Sequence, residues 1–425
     1  MSSDSPHPVQ AGPGRRLISL LALTCGVGVA GIYFPQAISP LIADDLGVSQ
    51  GAAAVVVTAA QFGYAAGVFL LVPLGDRLQH RRLIVTLLAV TGAGLLAAGL
   101  APGLTVLLAA SALVGVATVV PQIIIPMTAG LVPERRRGAV TGTLLSGLIG
   151  GILLARSFSG GLGQWFGWRA PYLVAAVVVG LLAVVLAFTV PATTPSSADR
   201  YPALLATTFR LLRTEPDLRR SGLYQALIFA GFSAAWTSLA LLVTGPAYDL
   251  GASAVGLIAL VGAASMFATP IAGRMTDRYG SDPVGLVCML GTVAAAALLA
   301  TGGLGGATGL VGVTLALLLL DVAMQSGQVA NQARIFALRP EARSRLNTAY
   351  MTCSFLGGSL GSWLGVRAYG VLGWNGVCLL VAVLAVLALV RHLVAMRRGT
   401  RRSGVGGAVG AGGLAGGVEG VEERA

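Results

Sequence analysis

The chain has 425 residues, of which 55% are hydrophobic and only 10% are charged, and its mean hydropathy is +0.83. These values exclude an ordinary soluble domain and indicate an integral membrane protein. The formal net charge of +12 comes from 28 arginines without any lysine. Because the arginines lie in short connectors rather than on one face, nucleic-acid binding is not expected.

Apolar runs of about 20 residues, the length that crosses a hydrocarbon layer of about 30 Å, recur along the chain. They occupy residues 17–38, 51–74, 83–101, 104–131, 138–162, 170–190, 222–244, 253–272, 284–302, 310–336, 347–370 and 376–394. The runs are continuous rather than alternating, which favours helices over a β-barrel. We therefore expect an all-α membrane protein with twelve transmembrane helices.

The polar segments divide these helices into two groups of six. We assign residues 1–16 to an N-terminal tail, 17–190 to a first bundle, 191–221 to a linker with an amphipathic segment, 222–396 to a second bundle and 397–425 to a Gly-rich tail. All arginines except Arg156, Arg169 and Arg367 fall in, or at span ends next to, the tails and connectors on the N-terminal side of the membrane. The positive-inside rule then predicts a multi-pass plasma-membrane protein with both termini in the cytoplasm.

Short motifs in the first half return about half a chain later. The pair Asp76-Arg77 recurs as Asp277-Arg278, and the pair Gly167-Trp168 recurs as Gly373-Trp374. The offsets of these pairs are nearly equal, so the two six-helix halves are predicted to be pseudo-repeats. Transporters that rock two halves around a central substrate path are built in this way.

Two charges lie deep inside predicted helices, where they are costly and hence candidates for function. Arg156 lies in the fifth apolar run and Asp321 in the tenth. Asp321 begins a polar stripe with Gln325, Gln328 and Gln332 on one helix face. Asp321 could couple transport to protons by changing its protonation with conformation, with Arg156 as its partner. It could also form a permanent ion pair with Arg156, or the two side chains could lack direct contact.

Other polar and aromatic side chains within the runs are candidates for a substrate cavity. They are Tyr33, Gln36, Gln61, Tyr64, Gln122, Gln225, Trp236, Gln325, Gln328 and Asn331. Such groups in an apolar pocket suit an amphipathic organic molecule. For each of them, packing or anchoring at the membrane interface is an equally good interpretation.

Small residues recur every fourth position in the fifth and eleventh runs, including Gly147, Gly151, Gly357, Gly361 and Gly365. This spacing indicates close helix packing and is also compatible with a moving seam between the halves.

Enzymatic and metal-binding functions are not expected. The histidines His7, His80 and His392 are scattered, and the chain has no phosphate-binding loop because it has no lysine. We expect no cofactor and no bound metal.

The loop between the second and third runs, LVPLGDRLQHRR, resembles the loop 2–3 motif of the major facilitator superfamily. The first copy matches the motif at Asp76, Arg77 and Arg81. The second copy keeps Gly273, Asp277, Arg278 and Gly280. It has Ser281 and Asp282 where the motif usually has basic residues. Residues 319–369 are similar to bacterial efflux permeases of the drug or sugar proton-antiporter type. The resemblance implies the major facilitator fold and a gating latch at the loop motif. The alternative is that these arginines only determine topology.

The resulting expectation is a monomeric secondary transporter that exports a small organic molecule, drug-like or sugar-like, by alternating access. Its partners would be the substrate, protons and the lipid bilayer, and the proton gradient would be its energy source. A proton symporter for uptake remains the main alternative. A membrane receptor or scaffold without transport is a third interpretation.

Overall fold

The computed structural model describes residues 14–191, 200–339 and 342–412. Within these ranges the regular secondary structure is entirely helical. Parts of the predicted tails and linker, at residues 1–13, 192–199 and 413–425, lie outside the described ranges.

Over residues 14–191, the N-terminal half is formed by eight α-helices and two 3-10 turns. They are α1 (Arg15–Ala30), a 3-10 turn (Gly31–Tyr33), α2 (Pro35–Leu46), α3 (Gln50–Leu71), a 3-10 turn (Val72–Asp76), α4 (His80–Gly99), α5 (Leu104–Ala117), α6 (Val120–Gly130), α7 (Glu134–Phe166) and α8 (Arg169–Thr189). The first and fourth predicted spans are each split in two. Pro35 is the first residue and Pro121 the second residue of the second segment, where their missing N–H groups interrupt the helical hydrogen bonding.

The linker and the C-terminal half contain the remaining helices of the described ranges. They are α9 (Tyr201–Thr214), α10 (Pro216–Val243), α11 (Ala252–Gly262), a 3-10 turn (Ala263–Phe267), α12 (Ala268–Tyr279), α13 (Ser281–Leu299), a 3-10 turn (Ala300–Leu304), α14 (Gly306–Leu338) and α15 (Arg343–Gly412). The linker helix α9 buries Leu204, Thr208 and Leu211 on one side, as an amphipathic segment does.

The predicted number of membrane spans agrees with the structure once α15 is divided. Among the described residues, eleven helical segments are long and apolar enough to cross a membrane, and the last of them has 55 residues. A helix of that length would extend about 80 Å, far more than the roughly 30 Å of a bilayer core. Gly373, with φ 62° and ψ −152°, breaks it into two spans. The twelve-span, all-α prediction is thereby confirmed.

The repeated Gly-Trp pairs occupy equivalent places in the two halves. Gly167 and Gly373 both have positive φ, which glycine adopts without a steric penalty. The following indoles both donate hydrogen bonds: Trp168 Nε1 to Asp45 Oδ2 at 2.9 Å and Trp374 Nε1 to the Leu299 carbonyl at 2.6 Å. Each hydrogen bond connects the start of the sixth span of one half to the end of an earlier helix in the same half.

The small-residue ladders form contacts within each half. A Cβ atom on Gly151 would lie 2.3 Å from the Gly26 Cα of α1, and one on Gly361 would lie 2.0 Å from the Ala230 carbonyl oxygen of α10. For these glycines the interpretation as a moving seam between the halves is therefore wrong, because the first and fifth spans of each bundle are direct neighbours.

The most extensive contacts between the halves lie along two other helix pairs. At the contact of α3 with α15, Thr58 Oγ1 donates to Ser362 Oγ at 3.2 Å. At the contact of α7 with α11, Ser157 Oγ donates to the Gly256 carbonyl at 2.6 Å. We call the end of the molecule with the α3–α4 loop and α9 the arginine-rich end. The opposite end, with Asp45 and Arg169, is the arginine-poor end.

Candidate functional site

A cavity of about 130 Å³ lies between the two halves. Its walls come from α1, the adjoining 3-10 turn, α3, α6 and α7 on one side and from α10, α12, α14 and α15 on the other. The lining includes Tyr33, Tyr64, Gln122, Leu148, Ile152, Arg156, Phe229, Phe232, Thr269, Met324, Gln325, Gln328, Gln332, Met351 and Phe355. The cavity is thus mainly apolar and aromatic, with a few amides and one cation.

Arg156 projects from α7 into this cavity and is fully buried. Its Nε donates to Gln36 Oε1 at 2.6 Å. The guanidinium carbon lies 4.2 Å from the ring centroid of Trp236 and 5.1 Å from that of Tyr33, so aromatic faces partly compensate for its lost hydration. Nη1 and Nη2 have no hydrogen-bond partner in the described ranges. They are donors that an acceptor group in the cavity could satisfy.

Asp321 lies on α14 and is 1% exposed. Its Oδ1 accepts a hydrogen bond from Trp236 Nε1 at 3.0 Å. Oδ2 has no partner within the part of the chain that the structure describes. Gly262 of α11 faces this oxygen, and a Cβ atom there would lie only 2.6 Å from it. The close approach of α11 to the carboxylate therefore requires glycine.

Trp236 separates the two buried charges. Its ring face contacts the guanidinium of Arg156, while its N–H binds the carboxylate of Asp321. The ion pairs among the described residues do not include Arg156 with Asp321. In this conformation the two groups therefore form no direct ion pair, which agrees with the alternative that the side chains lack direct contact, and the indole contacts both of them.

The glutamine stripe of α14 faces the cavity and polar partners. Gln325 Nε2 donates to Ser265 Oγ at 3.4 Å, and Gln332 Nε2 donates to Asn347 Oδ1 at 3.2 Å. Gln328 Oε1 accepts from Gln225 Nε2 at 3.4 Å.

Amides also connect the two halves. Gln122 Nε2 donates to the Tyr64 hydroxyl at 3.2 Å, and Gln122 Oε1 accepts from Asn347 Nδ2 at 3.4 Å. Gln61 Nε2 donates to Ser233 Oγ of the other half at 3.2 Å.

The predicted cavity residues therefore divide into three groups. Tyr33, Tyr64, Gln122, Gln325 and Gln328 line the cavity, whereas Gln36, Gln61, Gln225 and Trp236 lie behind it and bond to other polar groups. Asn331 is not part of the lining. Its Oδ1 accepts from Arg334 Nη1 at 3.3 Å, toward the arginine-rich end.

Several lining residues were not predicted. Phe229, Phe232, Phe355, Met324 and Met351 form much of the cavity wall. A signal was available for part of this set, because Phe229, Phe232 and Trp236 follow an i, i+3, i+7 pattern that places aromatic rings on one face of α10.

The loop motif of the first half lies at the boundary between the halves. The 3-10 turn that ends at Asp76 contacts α15. The Asp76 carboxylate interacts electrostatically with Arg345, at the start of α15, and with His80. Arg77 and Arg81 are exposed.

The second copy of the motif has different surroundings. Asp277 and Arg278 are exposed on α12, and the Arg278 guanidinium lies 5.2 Å from the Tyr279 ring centroid. Gly273 has open space around its Cβ position, and Gly280 has φ 86° where α12 gives way to α13.

A charged cluster in the C-terminal half was also not predicted. The Asp282 carboxylate binds Arg220 and lies 2.5 Å from Arg334 Nη2. Arg220 Nε donates to the Tyr224 hydroxyl at 3.0 Å, and His392 Nε2 lies 3.0 Å from the Asp282 carbonyl oxygen. The cluster joins α10, α13, α14 and α15 at the arginine-rich end.

The sequence profile of the Major Facilitator Superfamily matches residues 18–362 and, in a second match, residues 268–416. The chain belongs to the major facilitator superfamily. It is therefore a multi-pass membrane transporter and not an enzyme, as the sequence predicts.

Relatives of this major facilitator protein include other transporters. The transporter YgaY of Escherichia coli O157:H7 is 36% identical over 377 residues, which are 88% of this chain and 94% of that protein. A chloramphenicol resistance protein of Streptomyces lividans is 31% identical over 268 residues, 62% of this chain and 67% of that protein. The fold resembles a bacterial homologue of the human lysosomal transporter Spinster, solved in an inward-facing, unoccupied conformation. The TM-score is 0.63 at 17% identity, and the alignment covers 92% of this chain and 98% of the other.

Proposed function

We propose that the chain is a proton-coupled secondary transporter that exports a small amphipathic organic molecule across the plasma membrane by alternating access. The observation that carries this proposal is the central cavity, where aromatic walls from both halves surround the unpaired guanidinium donors of Arg156. In this proposal the arginine-rich end and both termini face the cytoplasm, in keeping with the positive-inside rule.

The chemistry of the cavity favours a substrate with an apolar body and a polar acceptor group. Phe229, Phe232 and Phe355 offer ring faces to the apolar part. Arg156 Nη1 and Nη2 and the amide of Gln122 offer donors to the polar part. The likeness to a chloramphenicol resistance protein supports export of such a compound. Because one chain supplies both walls of the central cavity, a monomer suffices for the proposed transport.

Coupling to protons is assigned to Asp321 and Arg156. A carboxylate with one unpaired oxygen beside an incompletely paired guanidinium has a protonation state that depends on how the helices around it are arranged. Rearrangement of the halves changes the contacts of Trp236, which lies between the two groups. The proton gradient then supplies the energy, and no cofactor takes part.

The Asp76 contact serves as the gating latch in this mechanism. It joins the α3–α4 loop of one half to the start of α15 in the other. Opening the arginine-rich end must separate these groups, which contributes to the barrier between conformations.

The test uses the full-length protein in liposomes that contain a pH-sensitive dye. Chloramphenicol and a panel of amphipathic amines and aromatic acids serve as probes. We expect at least one compound to move protons with the wild type and not with Asp321→Asn, while this variant still exchanges the same compound in counterflow. The matched control is Asp249→Asn, an exposed carboxylate at the arginine-poor end. Unchanged proton-driven transport by Asp321→Asn would contradict the assignment.

A further inference from the structure

A second cavity, of about 430 Å³, lies away from the central site between α12, α13 and α14. We call it the α12 groove. Its lining is apolar and includes Ile271, Met275, Tyr279, Val287, Cys288 and Leu319. Ile271 is 53% exposed and Val287 is 68% exposed, so the groove opens on the outer surface of the bundle. In a membrane-spanning chain this surface faces lipid.

Two arginines lie beside the groove at the arginine-rich end. Arg274 and Arg278 follow Ile271 at i+3 and i+7, which puts the three side chains on one stripe of α12. Both arginines are exposed, and neither forms an ion pair with a residue of the described ranges. The Arg278 guanidinium lies over the ring of Tyr279, a residue of the groove lining. The apolar groove thus ends at a pair of uncompensated cations.

The nearest carboxylates do not cancel this charge. Asp277 follows Arg274 by three residues and lies about 60° from it around α12. Among the described residues it forms no ion pair with either arginine, and one carboxylate leaves the two guanidinium groups with a net positive charge. Asp282, at the start of α13, binds Arg220 and Arg334 in the interior cluster. The field at the mouth of the groove is therefore positive.

A comparable groove in the N-terminal half has a volume of about 420 Å³ between α1, α7 and α8, and its lining contains no tyrosine. Arginine lies outside the lining of both grooves, so the α12 groove is distinguished by Tyr279, whose ring lies under the Arg278 guanidinium.

We propose that the α12 groove is a binding site for one anionic phospholipid. An acyl chain fills the groove against Ile271, Met275 and Val287, and the phosphate binds Arg274 and Arg278. Arginine pairs bind phosphate oxygens through several N–H donors at once. A net negative head group is attracted more strongly than a zwitterionic one, whose own cation offsets the phosphate. This inference is independent of the transported substrate and of proton coupling.

The test measures lipid binding to the purified full-length protein by native mass spectrometry. Phosphatidylglycerol and phosphatidylcholine with identical acyl chains are titrated separately. We expect one saturable phosphatidylglycerol site, with an affinity at least about tenfold higher than that for phosphatidylcholine. The double variant Arg274→Gln/Arg278→Gln should lower the phosphatidylglycerol affinity to the phosphatidylcholine level. Val287→Trp, which fills the groove without removing charge, should weaken the binding of both lipids.

The control variant is Arg15→Gln/Arg16→Gln, which removes two arginines from the start of α1 and should keep the preference for phosphatidylglycerol. Because the substituted side chains are exposed, the variants should fold, and their thermal unfolding is compared with that of the wild type. Equal affinity of the wild type for the two lipids would overturn the proposal. So would an unchanged preference in Arg274→Gln/Arg278→Gln, or phosphatidylglycerol adducts that accumulate without saturation.

Discussion

The indole of Trp236 packs its face on Arg156 and donates its N–H to Asp321. Each charged group thereby gains partial compensation, but neither is fully satisfied, because two guanidinium nitrogens and one carboxylate oxygen lack partners in the described ranges. Buried polar groups without hydrogen-bond partners lower the stability of the fold. Because its indole contacts both groups, Trp236 is placed to respond to any change in their arrangement.

Two substitutions separate what the N–H group of Trp236 contributes to stability from what its ring contributes. Trp236→Phe keeps an aromatic face for Arg156 but removes the donor to Asp321, so we expect a loss of about 1–3 kcal/mol in stability. Trp236→Ala also removes the ring and leaves a cavity, which raises the expected loss to about 3–5 kcal/mol. Unfolding in detergent measures both values. If Trp236→Phe is as stable as the wild type, the hydrogen bond to Asp321 does not contribute to stability.

At the arginine-poor end, Asp45 contributes to stability in a pH-dependent manner. Hydrogen bonds from the Trp168 indole and from Arg169 hold the pKa of the Asp45 carboxyl below its usual range. A lowered folded-state pKa stabilises the fold above the unfolded-state pKa of about 3.9, and this stability is lost as the pH falls through the folded-state value.

We therefore expect Asp45→Asn to lower the melting temperature at pH 6 and to have a diminishing effect as the pH falls below about 4. Asp44→Asn, at an exposed neighbouring carboxylate, is the matched control. A difference between Asp45→Asn and the wild type that stays constant with pH would exclude this explanation.

Among the helices, much of the architecture is predictable from hydropathy, because each span must satisfy its own backbone hydrogen bonds in lipid. The division of α15 at Gly373 was predicted in the same way, because the apolar runs 347–370 and 376–394 lie on either side of it. The repeated Gly-Trp pair marks the same place. Within the site, Arg156 and Asp321 were identifiable because intramembrane charges are costly. The contact of Trp236 with both groups was not identifiable from the sequence, because it depends on how α7, α10 and α14 cross.

The Asp282 cluster, at helix ends, is a second feature that the sequence alone does not predict. Its arginines lie in connectors or at span ends, where the sequence pattern indicates a role in topology. Only the packing of α10, α13, α14 and α15 shows that Arg220 and Arg334 share one carboxylate.

Close packing of α15 on α10 gives a prediction about these helices. A Cβ atom on Gly361 would lie 2.0 Å from the Ala230 carbonyl oxygen, so Gly361→Ala must push the helices apart. We expect a loss of at least about 1–3 kcal/mol in stability. Gly370→Ala on the same helix is the control, since nothing lies within 4 Å of its Cβ position. Equal stability of the two variants in detergent unfolding would show that the α10–α15 contact is not as close as described.

For the whole molecule, the decisive feature is that the most extensive contacts between the halves are two seams with polar bonds, α3 with α15 and α7 with α11. The central cavity lies between these seams. Alternating access requires the halves to rotate about the site, so the same residue pairs cannot stay in contact throughout the cycle.

A cross-link across one seam tests this requirement. Thr58 Oγ1 and Ser362 Oγ are 3.2 Å apart, so cysteines at these two positions should form a disulfide on oxidation. We expect oxidised Thr58→Cys/Ser362→Cys to stop transport of any compound that the wild type carries, and reduction to restore it. Thr58→Cys alone controls for the four native cysteines, which are unpaired in the structure. Full transport by the cross-linked protein would mean that α3 and α15 stay together at this point, and that the halves separate only beyond it.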